Sequence, residues 1–163
     1  MEDESKYHLS ISNLAFSKAL KAGGIYILVF LLMKLVGLER VYQLRYLNTL
    51  LLFLFTMYTL NEINTKTKNH LEYLTGLAVS IFMAVISFSL FAFFMFFYLN
   101  FFDPVFMQYL MEHAPFGRYL NPINAAVWLI IEGIGIQISF TLIIMEYFKW
   151  RQYKLKSKQK LNK

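Results

Sequence analysis

The chain has 163 residues, of which 58% are hydrophobic and 18% aromatic, and it carries a formal net charge of +6. A soluble chain of this length could not bury so much apolar surface, so these values exclude an ordinary soluble domain. Cysteine is absent, which excludes a disulfide framework, thiol chemistry and a thiolate metal site.

Long apolar runs predict an all-α integral membrane protein, a four-transmembrane-helix bundle that forms one membrane domain over residues 1–163. The spans are expected at about 23–38, 44–60, 74–102 and 123–148. The third run has no charged residue before Asp103 and is longer than the roughly 20 apolar residues that cross a bilayer. We therefore expect the third span to be the central helix of the bundle.

The first half of the third span carries small residues along one helical face. They are Gly76, Ser80, Ala84 and Ser87, at steps of four, four and three. Such a stripe allows another helix to approach closely, which is the usual basis of helix association in lipid. The second half of the span is aromatic instead, which favours the membrane interface.

Asp103 and Pro104 form the junction that ends the third span. Proline lacks the N–H that a continuing helix needs, and Asp followed by Pro suits the cap and first residue of a new helix. The residues that follow predict a short helix that lies in the interface before the fourth span begins.

The tail, residues 149–163, is basic and contains no acidic residue. Most other basic residues lie near the N-terminus or in the link at residues 61–70, so the positive-inside rule places both termini in the cytoplasm. A tail attached directly to a span is expected to contact anionic lipid at the bilayer surface rather than nucleic acid.

Glu132 lies inside the fourth span, where a charge costs about 3 kcal/mol. One interpretation is a proton- or cation-binding carboxylate that faces a cavity; the other is a buried carboxyl that pairs with Lys34 or stays neutral. Ser139 follows on the same helical face, and Gln137 offers an interhelical hydrogen bond. Glu132, Lys34, Ser139 and Gln137 thus form a candidate intramembrane polar site.

No motif in the sequence predicts an enzyme, a cofactor or a metal site. The histidines, His8, His70 and His113, are scattered without ligand spacing, and there is no phosphate-binding loop or nucleophile motif. We expect no catalytic, cofactor-binding or metal-ligating residue.

Three stretches of the chain resemble an uncharacterised bacterial family of four-span membrane proteins, domain of unknown function 4199. They are KALKAG at 18–23, LVGL at 35–38 and YLNFFDPVF at 98–106, whereas LEYL at 71–74 departs from the pattern of that family. The resemblance implies a multi-pass protein of the bacterial inner (cytoplasmic) membrane and implies no activity.

Three functions are open at this point, and one of them is a lipid-binding accessory factor that uses the interfacial helix and the basic tail. The stripe of the third span favours a structural, interaction or accessory component that packs with itself or with a membrane partner. The intramembrane Glu132 favours a small oligomeric transporter or channel instead. A polar cavity that reaches Glu132 would support transport.

The predicted topology places Lys66 and Arg118 on opposite sides of the membrane, because the third span separates them. Since the chain has no cysteine, a single cysteine at either position is a unique reporter. We expect an impermeant thiol reagent to label these two variants from opposite sides of intact vesicles. Labelling from the same side would contradict the predicted topology.

Overall fold

The structure is a computed structural model, which describes residues 2–38, 45–66, 71–114 and 117–161. Within these ranges every element is helical, which confirms the all-α class. The α-helices are α1 (Glu2–Leu35), α2 (Arg45–Lys66), α3 (Tyr73–Phe97), α4 (Pro104–His113) and α5 (Pro122–Leu161). A π-helical turn, Tyr98–Phe102, continues α3, and a 3₁₀ turn, Gly117–Tyr119, precedes α5.

Three segments within these helices are long and apolar enough to cross a membrane, which indicates a membrane protein. They are Ile11–Leu35, Tyr73–Phe102 and Pro122–Lys154. These segments hold most of the predicted first span and the whole of the third and fourth. By length and composition, α2 is not among them.

The central helix is α3, which packs along both α1 and α5. On the other side of the bundle α2 contacts α1 and α5, so the four long helices form a ring in the order α1, α2, α5, α3. As a result α1 and α5 lie diagonally opposite each other. We name the end of the bundle that holds Lys18 and Lys66 the basic end, and the end that holds Asp103 the aspartate end.

Buried apolar side chains form one cluster near each end of the bundle. At the basic end, Ala15 and Ala19 of α1 share a cluster with Ile63 of α2 and Val79 of α3. At the aspartate end, residues later in α1 and α3 share the second cluster with Leu52, near the start of α2. Therefore α1 and α3 run in the same direction, while α2 runs in the opposite one.

The four small residues of the third span are all buried inside the bundle. A Cβ atom added at Gly76 would lie 2.5 Å from the Met145 sulfur of α5. Close contact recurs further along the same pair of helices, because a Cβ atom at Gly133 would lie 2.4 Å from the Phe88 ring. The stripe is therefore covered by helices of the same chain, with α5 against Gly76 and α1 against the Ser87 carbonyl.

In α2 polar side chains are buried and large apolar side chains are exposed, the reverse of the pattern in a surface helix of a soluble protein. Its buried side carries Thr56, Thr59 and Asn64, whereas its exposed side carries Leu50 and Leu54. Polar groups that point inwards lower the average hydropathy of α2, although apolar side chains such as Leu50 and Leu54 face its surroundings.

A Schellman turn ends α1 beside the end of α3. Gly37 has φ of 72°, and the N–H groups of Leu38 and Gly37 donate to the carbonyls of Met33 (2.8 Å) and Lys34 (2.9 Å). Only a residue that tolerates positive φ ends a helix in this way without strain. Lys34 is thereby held in the last turn of α1.

Candidate functional site

A cluster of three polar side chains joins α1 to the end of α3. The Lys34 Nζ atom lies 2.6 Å from Oδ2 of Asp103, and Lys34 also contacts the hydroxyl of Tyr98. The Tyr98 hydroxyl donates to the same Asp103 oxygen at 3.1 Å. These three residues, Lys34, Tyr98 and Asp103, are named the aspartate cluster.

Asp103 has a second role that uses its other carboxylate oxygen. The Oδ1 atom accepts the N–H of Phe106 at 2.9 Å, so Asp103 caps α4 while Pro104 occupies the first turn. The N–H of Asp103 donates to the carbonyl of Tyr98 at 2.9 Å and closes the π-helical turn. Single π-turns are frequent at functional positions, and this one brings Tyr98 and Asp103 together.

The ion pair with Lys34 holds the pKa of the Asp103 carboxyl below its usual value. The hydrogen bond from Lys34 is the main cause, the Phe106 N–H acts in the same direction, and partial burial opposes both. Asp103 is therefore ionised at neutral pH, as its ion pair and its cap require.

The predicted pairing of Lys34 with Glu132 is corrected by the structure, because Lys34 pairs with Asp103. Lys34 lies on α1 and Glu132 on α5, and these two helices are diagonal in the ring. Asp103 directly follows α3, which is the neighbour of α1 at that end. The sequence indicated that Lys34 and Glu132 lie at a similar depth in the membrane. It did not indicate the lateral order of the helices, which separates the two residues.

Glu132 lines a small cavity near the middle of the bundle. The cavity has a volume of about 40 Å³, and its wall also includes Tyr26 of α1, Thr49 of α2 and Gly133. The Tyr26 side chain is 1% exposed, and its hydroxyl has no hydrogen-bond partner in the part of the chain that the structure describes. The rest of the wall is apolar, formed by Leu52, Phe88, Phe91, Leu129 and Ile136. A cavity of this size has room for a water molecule beside its polar groups.

The other two residues of the predicted polar site point in different directions. Gln137 is buried, and its Nε2 donates at 2.8 Å to the hydroxyl of Thr56, which in turn donates at 2.8 Å to the Leu52 carbonyl. Ser139 is exposed and its hydroxyl donates to the carbonyl of Gly135 at 3.2 Å. The structure therefore separates the four predicted residues rather than joining them in one site.

Two tyrosines in these clusters were not singled out by the sequence pattern. Tyr98 was grouped with the aromatic half of the third span, and nothing in the sequence distinguished Tyr26 within the predicted first span. One signal did point to the aspartate cluster. Lys34 is the last charge of the first span and Asp103 the first charge after the third, and both were expected at the same side of the membrane.

At the basic end, one ion pair joins α1 to α2, and a second lies within α2. The Lys18 Nζ atom lies 2.8 Å from one oxygen of Glu62 and 4.4 Å from the ring centroid of Tyr58. Lys66 lies 3.1 Å from the other oxygen of Glu62. Over the ranges that the structure covers, no group of three His, Asp or Glu side chains is placed to hold a metal ion.

A model of the family described as "Protein of unknown function (DUF4199)" matches residues 18–115, more than half of the chain. The match includes all three residues of the aspartate cluster and ends before α5, which carries Glu132. No curated protein and no solved structure matches the chain.

The two roles of Asp103 predict different losses for two substitutions. Asp103→Asn keeps a capping oxygen but removes the ion pair, and we expect it to lower the free energy of unfolding by about 1 kcal/mol. Asp103→Ala also removes the cap and should cost about 1 kcal/mol more. Glu112→Gln, an exposed acid of α4, is the matched control and should have little effect.

Thermal unfolding in detergent over a range of pH measures these losses. A carboxyl whose pKa is lowered on folding stabilises above its unfolded pKa, near 3.9, and loses that contribution as pH falls further. The difference between wild type and Asp103→Asn should therefore shrink below about pH 4. A difference that is constant with pH would contradict the ion pair.

Proposed function

We propose that the chain, which belongs to the DUF4199 family of proteins of unknown function, is a non-enzymatic membrane component that associates with itself or with a membrane partner. We propose no catalytic activity, no cofactor and no nucleic-acid partner for it. We propose that it is located in the bacterial inner membrane, with both termini in the cytoplasm.

The observation that carries this proposal is a notch on the outward side of α5. Gly135 is exposed, and a Cβ atom added there would meet nothing within 4 Å. Ser139, one turn further along, is also exposed, and Ile131 and Leu142 flank the pair with exposed fractions of 54% and 41%. Small residues four positions apart on a lipid-facing helix favour close helix association.

The stripe of α3 cannot serve this purpose, because it is buried against the chain's own helices. The notch of Gly135 and Ser139 is therefore the surface that we assign to association. We expect a symmetric contact between two copies or a contact with a helix of another membrane protein.

Two features support α2 as a fourth span and α4 as an interfacial helix. α2 contributes to both buried clusters, so it passes the same depth as the other long helices, and its outward side is apolar. α4 buries Phe106 and Met107 against the bundle while Val105 and Met111 stay exposed. A short helix with apolar groups on both of these sides suits the boundary of a bilayer.

Self-association through the α5 notch is tested by Gly135→Leu, which fills the notch with a branched side chain. We expect a weakening of at least tenfold, the change that about 1.4 kcal/mol produces. Energy transfer between two labelled populations in the same bilayer measures it. Gly24→Leu is the matched control, because Gly24 is also exposed and open but lies between Leu20 and Leu28.

Equal association of wild type, Gly135→Leu and Gly24→Leu would contradict the notch as a surface for self-association. If wild type is monomeric in bilayers, the same variants are compared for recovery of a membrane partner by cross-linking at Ser139→Cys. Loss of the cross-linked product in the Gly135→Leu background supports a hetero-association, and an unchanged product contradicts it.

A second candidate function is proton or cation transport at Glu132. The observation that favours it is the cavity that Glu132 shares with Thr49 and with the Tyr26 hydroxyl, which has no hydrogen-bond partner among the described residues. A protein cavity with a carboxylate and two hydroxyl groups is suited to hold a hydrated proton or a small cation. Its small volume makes a wider solute an unsuitable substrate.

Proton flux into vesicles that contain the purified protein tests this second function. With a potassium diffusion potential as the driving force, transport predicts that Glu132→Gln lowers the flux to that of empty vesicles. Glu146→Gln changes an exposed acid of the same helix and should retain the wild-type flux. A wild-type flux equal to that of empty vesicles would contradict transport.

A further inference from the structure

A groove lies between α2 and α5 on the outer surface of the bundle, close to its basic end. Its volume is about 370 Å³. Leu54 and Met57 of α2 form one apolar wall, both of them exposed, and the buried ring of Phe148 from α5 forms the floor. The groove is thus an apolar surface that the chain itself leaves uncovered.

The polarity of the groove changes along its length. Asn61 of α2 and Arg151 of α5 lie nearest to the basic end, and the hydroxyl-bearing side chains of Tyr58 and Tyr147 border it. The two helices run in the same direction here, so the residue numbers of both walls rise towards the basic end. The groove therefore offers hydrocarbon contacts deeper in the bundle and hydrogen-bond donors near the membrane surface.

Arg151 differs from Lys18, Lys66 and Lys149 at this end, because each of these lysines is paired with a carboxylate. Glu62 pairs with Lys18 at 2.8 Å and Lys66 at 3.1 Å, and Glu146 lies 3.8 Å from Lys149. Among the residues that the structure describes, Arg151 has no carboxylate within ion-pair distance. Its guanidinium is exposed at the mouth of the groove.

We propose that this groove binds one anionic phospholipid, with the phosphate on Arg151 and an acyl chain along Leu54 and Met57. A guanidinium donates two parallel hydrogen bonds to a phosphate, which a lysine ammonium does not match. Basic pockets between membrane helices on the cytoplasmic side are suited to anionic headgroups. A free phosphate would use Arg151 but leave the apolar wall without a partner.

The site differs from a general attraction between the basic tail and the bilayer. That attraction depends on total charge and would respond alike to the loss of any nearby basic residue. A bound lipid depends on the one guanidinium at the groove and on the apolar wall beneath it. The proposal does not rest on association through the α5 notch or on transport at Glu132.

Native mass spectrometry of the detergent-purified protein, titrated with phosphatidylglycerol, tests the site. We expect one tightly bound lipid on the wild-type protein and binding about tenfold weaker for Arg151→Gln. Arg151→Lys should show an intermediate loss, and Leu54→Trp, which fills the exposed wall, should also weaken binding. Lys154→Gln removes a charge one turn further along α5, outside the groove, and should change binding by less than about twofold.

Three results would overturn the proposal. Equal weakening by Lys154→Gln and Arg151→Gln would indicate diffuse attraction, and equal affinity for zwitterionic phosphatidylcholine would indicate an apolar groove without headgroup recognition. Displacement of the lipid by soluble glycerol 3-phosphate at equal concentration would indicate a site for free phosphate esters. Unchanged thermal unfolding of each variant in detergent shows that a loss of binding is not a loss of folding.

Discussion

The close approach of α3 to α1 and α5 determines where the other helices of the bundle lie. Within a bilayer, helices gain little from burying apolar surface, so tight packing has to supply the attraction. Gly76 and Gly133 each leave space that a side chain from the facing helix fills, Met145 in one case and Phe88 in the other. α1 and α5 lie on different sides of α3, and α2 contacts both of them, so α1 and α5 are diagonal to each other.

Polar contacts then join α2 to this framework at two levels. Gln137 bonds Thr56 in the middle of the bundle, and Lys18 pairs with Glu62 at the basic end. With its polar groups turned inwards, α2 presents apolar side chains outwards and leaves a groove beside α5. The packing of α3 thus has functional consequences, because it buries one small-residue stripe and leaves the outward side of α5 and the α2–α5 groove open to other molecules.

Residue spacing was enough to predict the features that depend on a single helix. The small-residue face of the third span and the change of direction at Asp103 and Pro104 follow from local geometry, and the structure shows a buried stripe and a capped α4 there. The partner of Lys34 could not be predicted in this way, because a sequence gives the depth of a residue but not the lateral order of the helices. The cavity around Glu132 is formed by four helices, whose relative positions the sequence does not give, and the sequence did not reveal Tyr26 as part of its wall.

A membrane crossing by α2 is the feature on which the four-span architecture depends. Single cysteines at Leu38 and at Lys66 flank α2, and labelling with an impermeant reagent in vesicles of known orientation locates each one. The four-span bundle predicts that Lys66→Cys reacts from the cytoplasmic side and Leu38→Cys from the opposite side. Reaction of both from the same side would mean that α2 does not cross, and the four-span bundle would be contradicted.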